Sequence, residues 1–300
     1  MPSTSQTFNK SAKNTIEALG TLSKLDIALG VSVILMMLGS AYTLLAEHGG
    51  NASSAMMTAM MIISTLGMAG VAVFHSIRHL GAKTALIYFG IIVLIELFLE
   101  QVNILTGGLV FGGLTYPDGY FGPKILDVPI AVPLAMCAIN WPTYVLVNLI
   151  LFRKIVVTSL DLTIPRAVMH CVILAVVHTA WSYCAEPMAL SNAILFRPTS
   201  GDLSGVTHLG VPPVEFRGWG LMTFLQFFLF SFVIARFVSF PKSQPFNTLL
   251  DSAPLLMYGG TALMLLANPI NNDMAIGIVF TMLTYVVLAL FCMPKNGEFN

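Results

Sequence analysis

The stretch Thr84–Leu105, TALIYFGIIVLIELFLEQVNIL, decides how this chain is to be read. A helix needs about 20 mostly apolar residues to cross a bilayer, and this one has them. Yet it holds two carboxylic acids, Glu96 and Glu100, four residues apart and therefore on one helical face. Working outward, further apolar segments of similar length recur at Ile27–Ala46, Ala55–Phe74, Val128–Phe152, Pro165–Met188, Gly218–Phe240, Ala253–Ala267 and Met274–Phe291. With Thr84–Leu105 they make about eight transmembrane helices, an all-α polytopic bundle. The seventh is short and contains Pro254, Gly259 and Gly260, so a seven-span alternative stays open.

Composition points the same way. Hydrophobic residues are 56% of the 300 and charged residues 9%, against about 25% charged in a soluble domain. Disorder is excluded by the apolar content. Nucleic-acid binding is excluded by the balance of 14 Lys and Arg with 14 Asp and Glu, which leaves no basic surplus. Residues 1–26 are polar, lack the apolar core of a secretory signal and read as a cytoplasmic tail. Residues 27–293 read as a single membrane domain, and 294–300 as a short C-terminal tail. With eight spans and an inside N-terminus, the cytoplasmic side holds Lys10, Lys13, Lys24, Arg78, Lys83, Arg153, Lys154, Arg166, Arg236, Lys242 and Lys295. Only Lys124, Arg197 and Arg217 fall on the other side, as the positive-inside rule expects. Both termini are then cytoplasmic.

Against that background the acids are the informative residues. Glu96 and Glu100 lie in the outer half of their span. They read either as hydrogen-bonded helix glue or as a proton donor or relay, since desolvation favours the neutral carboxylic acid. In the fifth span His178, Ser182 and Glu186 recur every four residues as one polar stripe, flanked by Trp181 and Tyr183. His178 reads equally as a satisfied core histidine, and Trp181 as an interfacial anchor. Glu186-Pro187 ends that span at the same depth as Glu100. Asn140 and Gln226, in the fourth and sixth spans, read as polar contacts between helices.

Two connections are long, Thr106–Asp127 and Ala189–Arg217, and both fall on the non-cytoplasmic face. The first is dense in Gly and Pro, which describes a tightly folded chain. It contains Phe111, Tyr116, Asp118 and Asp127, with Asp118 in Tyr-Pro-Asp-Gly readable as a turn residue or a catalytic one. The second brings Glu215, Arg217 and Trp219 to the start of the sixth span, where Glu215 and Arg217 read also as an interfacial ion pair.

No phosphate-binding glycine motif or Asp-rich diphosphate motif is present, and Asn271-Asn-Asp273 reads as a turn. Cys137, Cys171, Cys184 and Cys292 show no C-x-x-C spacing and read as small core residues. No metal or cofactor site is indicated.

An ordered set of segments resembles the membrane carotenoid-biosynthesis proteins that include carotenoid 1,2-hydratases and bisanhydrobacterioruberin hydratase. It begins at His75-Ser-Ile-Arg-His-Leu-Gly81 and runs through Glu100, Leu105-Thr-Gly107, Phe111-Gly112, Tyr116-Pro-Asp118 and Gly122-Pro-Lys-Ile125. It continues with Val128-Pro-Ile-Ala-Val-Pro-Leu-Ala135, Thr179-Ala-Trp181, Glu186-Pro-Met188, Gly210-Val-Pro212 and Phe216-Arg-Gly-Trp219. The resemblance covers roughly residues 70 to 240.

It implies acid-catalysed hydration of a terminal double bond in an acyclic carotenoid, without cofactor, in a bacterial or archaeal inner membrane, with a bilayer-dissolved substrate arriving sideways. Glu100 and Glu186 would be the acid/base pair, assisted by Asp118 and Glu96. Trp181 and Trp219 would line the cation site, with His178, Ser182, Asn140, Tyr116, Phe111 and Glu215 around it. The chain departs from the family pattern where Ser182 stands in place of an acid, Glu186 in place of an Asp, and Glu215 in place of an Asn. A cyclase or isomerase using the same alkene protonation is the first alternative. A small proton-coupled transporter is the second.

Overall fold

A computed structural model describes residues 23–49, 54–116, 123–191, 197–198, 211–241, 245–267, 273–295 and 297–298. Most of them are helical. In chain order the long helices are α1 (Lys24–Gly49), α2 (Ser54–Leu80), α3 (Ala82–Leu105), α4 (Ala131–Phe152), α5 (Ile164–Ser191) and α6 (Pro213–Phe228). After the short α7 (Thr248–Asp251) come α8 (Ala253–Ala267) and α9 (Asp273–Phe291). Among the described residues, four helical stretches are long and apolar enough to cross a membrane: Lys24–Tyr42, Ala82–Leu105, Ala131–Phe152 and Ile164–Tyr183.

The bundle is inside-out relative to a water-soluble one. Helix α3 turns Leu86, Leu94 and Phe98 outward while Glu96, Glu100 and Asn103 are fully buried. In water this would expose the apolar face and desolvate the acids, so the arrangement fits lipid as the surrounding solvent. Helix α4 is the central element, continuously buried from Met136 to Leu149. Around it, Trp141 and Tyr144 pack with Tyr88 of α3 and Phe227 of α6.

Local chemistry sets the boundaries. Helices α2 and α3 are joined through the single residue Gly81, whose φ of 76° suits glycine. The fourth apolar segment yields its first residues to a hairpin: Val128–Pro129 (β3) pairs antiparallel with Lys124–Ile125 (β2). Helix α4 therefore starts at Ala131, not at Val128. The sixth segment starts earlier than its hydropathy implies, because Pro212 and Pro213 form a helix N-terminus. It ends earlier too: Leu229–Val233 winds into a π-turn and Ile234–Arg236 into a 3-10 turn. The seventh segment is helical over Ala253–Ala267, with Pro254 tolerated in the first turn. The polar tail before residue 23 lies outside the described residues.

The two long connections meet. Leu114–Thr115 (β1) pairs with Arg197–Pro198 (β4), in register Leu114 with Pro198 and Thr115 with Arg197. Asn103, at the end of α3, holds the first of them. Its amide donates to the Gly112 carbonyl at 2.9 Å, and its carbonyl accepts from Val110 N at 3.0 Å and Phe111 N at 2.7 Å.

Candidate active site

Four carboxyls from three helices converge beneath this looped end: Glu96 and Glu100 of α3, Glu186 of α5, and Glu215 in the first turn of α6. All four are buried. They lie near enough to act on one another, Glu96 with Glu100 and Glu186, and Glu186 with Glu215. The helical rule accounts for α3, since residues four apart share a face. Helix α6 presents Glu215, Trp219 and Gln226 inward on the same principle.

The polar surroundings are specific. Asn140 Nδ2 donates to Gln226 Oε1 at 3.0 Å, and Gln226 Nε2 reaches the Ile92 carbonyl at 3.3 Å and Glu96 Oε2 at 3.5 Å. Asn140 and Gln226 thus join helices, and their chain ends on a carboxyl. Tyr116 faces Glu100, and burial pushes the Tyr116 hydroxyl up from its usual range. Trp219 faces Glu215 and packs on Phe111, with ring centroids 5.1 Å apart. Among the described residues no Lys or Arg forms an ion pair with any of the four acids.

Several buried polar atoms here lack hydrogen-bond partners among the described residues: both ring nitrogens of His178, Ser182 Oγ and the indole nitrogen of Trp181. Buried polar groups are normally paired, so such a concentration singles out this region as the candidate site. His178 and Trp181 pack with ring centroids 6.2 Å apart. Asp118 lies outside the described residues. Asp127 is a surface brace, its carboxylate accepting from Gln101 Nε2 at 2.9 Å while its N–H donates back to Gln101 Oε1.

A second polar cluster escapes sequence reasoning. His75, Arg78 and His79 of α2 gather on Asp251 of α7. His79 Nε2 stands 2.8 Å from Asp251 Oδ1, Arg78 Nε 3.4 Å and His75 Nε2 3.5 Å. The other carboxylate oxygen accepts from the Asn247 N–H at 2.8 Å. Arg78 also reaches Asp26 of α1. Burial pushes the Asp251 carboxyl up, but hydrogen bonds from His75 and His79 outweigh it and hold it well below the usual range. The ligand-type atoms of His75, His79 and Asp251 lie within 4.8 Å of one another. Trp141 decides their chemistry. Its Nε1–H donates to His75 Nδ1 at 3.0 Å, so the proton of a neutral imidazole sits on Nε2 and faces Asp251. Nε2 then offers a hydrogen rather than a lone pair, and the trio is a hydrogen-bonded hub tying α1, α2, α4 and α7. The signal in the sequence is the pair of histidines four apart at a span end.

A family model described as carotenoid biosynthesis protein matches residues 56–287. No curated protein and no solved structure matches the chain.

Proposed function

The chain belongs to the carotenoid biosynthesis protein family, and from that premise we propose that it is a membrane enzyme hydrating a terminal C=C of an acyclic carotenoid to a tertiary alcohol. The observation that carries this reading is the convergence of Glu96, Glu100, Glu186 and Glu215, buried together with no Lys or Arg among the described residues paired to them. Such a cluster holds and moves protons; it is not a salt bridge.

Glu100 and Glu186 form the acid/base pair. One carboxyl gives its proton to the inner, hydrogen-bearing carbon of the terminal C=C, where the π electrons form the new C–H bond and leave the dimethyl-bearing carbon electron-deficient. That carbon becomes a tertiary cation. Trp181 and Trp219 present ring faces to it, and the carboxylate just formed balances its charge, with Glu96 and Glu215 in support. A water oxygen then forms the C–O bond and loses its extra proton to the second carboxyl. One proton enters and one leaves, so the step as written needs no cofactor. His178, Ser182, Asn140 and Tyr116 supply polar contacts for the water, and Phe111 backs Trp219. Asp118 assists from the first long connection.

The protein spans the membrane eight times with both termini cytoplasmic and this site towards the opposite face. A second reading, cyclisation through the same cation, is favoured by one observation: Ser182, buried beside the site, stands where the resembling proteins carry an acid. Expression in cells accumulating an acyclic carotene separates the readings by mass spectrometry. Hydration adds the mass of water, and cyclisation leaves the mass unchanged. Absence of any new product would sink the enzyme reading and leave proton-coupled transport.

A further inference from the structure

An apolar groove of about 510 Å³ opens between α2, α3 and α4. Its depth comes from small side chains, Ala72, Ala85 and Ala138, where larger ones would close the bundle. Its rims, Leu86 and Leu134, are exposed on the outer surface, so the groove faces the surrounding lipid along its length.

Helix α3 connects this groove to the carboxyls. Ala82, Ala85, Phe89 and Val93 line it. Phe89 and Glu96 are seven residues apart, close to two full turns, so they share one face. The stripe that begins as groove wall therefore continues, without a change of face, into Glu96 and then Glu100. On the opposite wall Cys137 lies close enough to Glu96 to feel its charge. From Ala82 to Glu96 the helix rises about 21 Å. The groove is thus an apolar cleft whose α3 wall leads, beyond Val93, towards the acids.

We propose that this groove holds the chain of the acyclic isoprenoid substrate, with the reactive terminus at Glu96 and Glu100 and the rest extended along α3 towards Ala82. The inference rests on the reading given under Proposed function and adds to it the place and direction of binding. An isoprenoid fits because it is linear, apolar and dissolved in the phase onto which the groove opens. A similar groove of about 530 Å³ lies between α5, α6 and α9. The α2–α3–α4 groove is preferred because its wall leads to two carboxyls, Glu96 and Glu100, whereas Thr179 in the other groove leads by the same spacing to Glu186 alone.

Leu134→Cys, at the exposed rim of the groove near the start of α4, supplies a reporter. The full-length variant in lipid nanodiscs is treated with a membrane-permeant maleimide, with and without lycopene, and labelling is read by mass spectrometry. Lycopene is expected to slow labelling of the Leu134→Cys thiol while leaving Cys292 unchanged. A second arm introduces Ala82→Trp at the exposed far end of the groove and Ala85→Phe within it. Each is expected to weaken lycopene binding, read from the polyene absorption spectrum, by about tenfold or more, because neither side chain can be repacked with the polyene present. Ala82→Trp lies at a lipid-facing position, so it keeps the test alive if Ala85→Phe does not fold. Lycopene bound with labelling of the Leu134→Cys thiol unchanged would overturn the proposal and point to the other groove. Equal protection of that thiol by nanodisc lipid alone would overturn it in favour of a lipid chain as the occupant. Hydration at the unaltered rate in a groove-filled variant would remove the groove and leave the hydratase reading standing. Neither binding nor a new product would remove both.

Discussion

Glu100 is the residue on which the proposed chemistry turns. It is fully buried, with Tyr116 and Glu186 as close polar neighbours. Glu100→Gln keeps the shape and removes the acid, so we expect a folded protein with product formation reduced about 100-fold or more, measured in cells making an acyclic carotene. Undiminished product would take Glu100 out of the mechanism. Asp251 makes the opposite test. It receives His75, His79, Arg78 and the Asn247 N–H, so Asp251→Asn removes the charge these donors share and leaves Arg78 with Asp26 alone. Weakening such hydrogen bonds to a charged group costs about 1–3 kcal/mol. Thermal unfolding in detergent should show the loss, while activity per folded molecule stays near the starting value. The two clusters also differ in how far the sequence reveals them. An acid in the middle of an apolar span has few explanations, so Glu96, Glu100 and Glu186 stand out. His75 and Arg78 sit at a span end, where basic residues are ordinary, and their partner comes 172 residues after His79. Asn103 was equally silent, because nothing local says that one amide closes three backbone groups of the next loop.

Helices are legible at the element scale because length and hydropathy alone specify a span. Their ends are not, because long-range pairing and proline set them: β3 takes Val128–Pro129 from α4, and a π-turn interrupts α6. Helix contacts are illegible for a related reason, since a small residue shows its purpose only against its neighbour. At Gly67 of α2 a Cβ would fall 2.7 Å from Met36 Cα and 2.8 Å from the Ser32 carbonyl of α1. Both are backbone atoms, so the helices themselves would have to separate. At Gly30 of α1 a Cβ would meet nothing within 4 Å. The same substitution therefore has two outcomes. Gly67→Ala should destabilise the protein by about 1–3 kcal/mol through overpacking. Gly30→Ala should be neutral or slightly stabilising, because Ala is the better helix former. Parallel melting curves of the two variants check this, and equal effects would contradict the close approach of α1 and α2.

For the whole molecule, the two clusters define two ends of the bundle. Asp26, in the first turn of α1, touches Arg78 at the end of α2, and Arg78 touches Asp251. Five residues before Asp251, Phe246 donates its N–H to the Glu298 carbonyl at 2.7 Å and accepts from Gly297 N at 2.9 Å. The start of α1 and residues 297–298 are therefore at the same end, and the chain between them crosses the bundle an even number of times. The paired loops, β1 with β4, cover the acids at the other end. An even number of crossings is what the expected topology requires, with both termini on the side to which an inside N-terminus assigns eleven basic residues. A topology experiment joins the two. Tags fused at both termini should be reached by a membrane-impermeant reagent only from the cytoplasmic side. A cysteine placed in Thr106–Asp127 should react only from the opposite side. A C-terminal tag reached from outside would mean seven crossings, and it would separate residue 298 from Phe246 by the thickness of the membrane, contradicting both the hub and the tail contact.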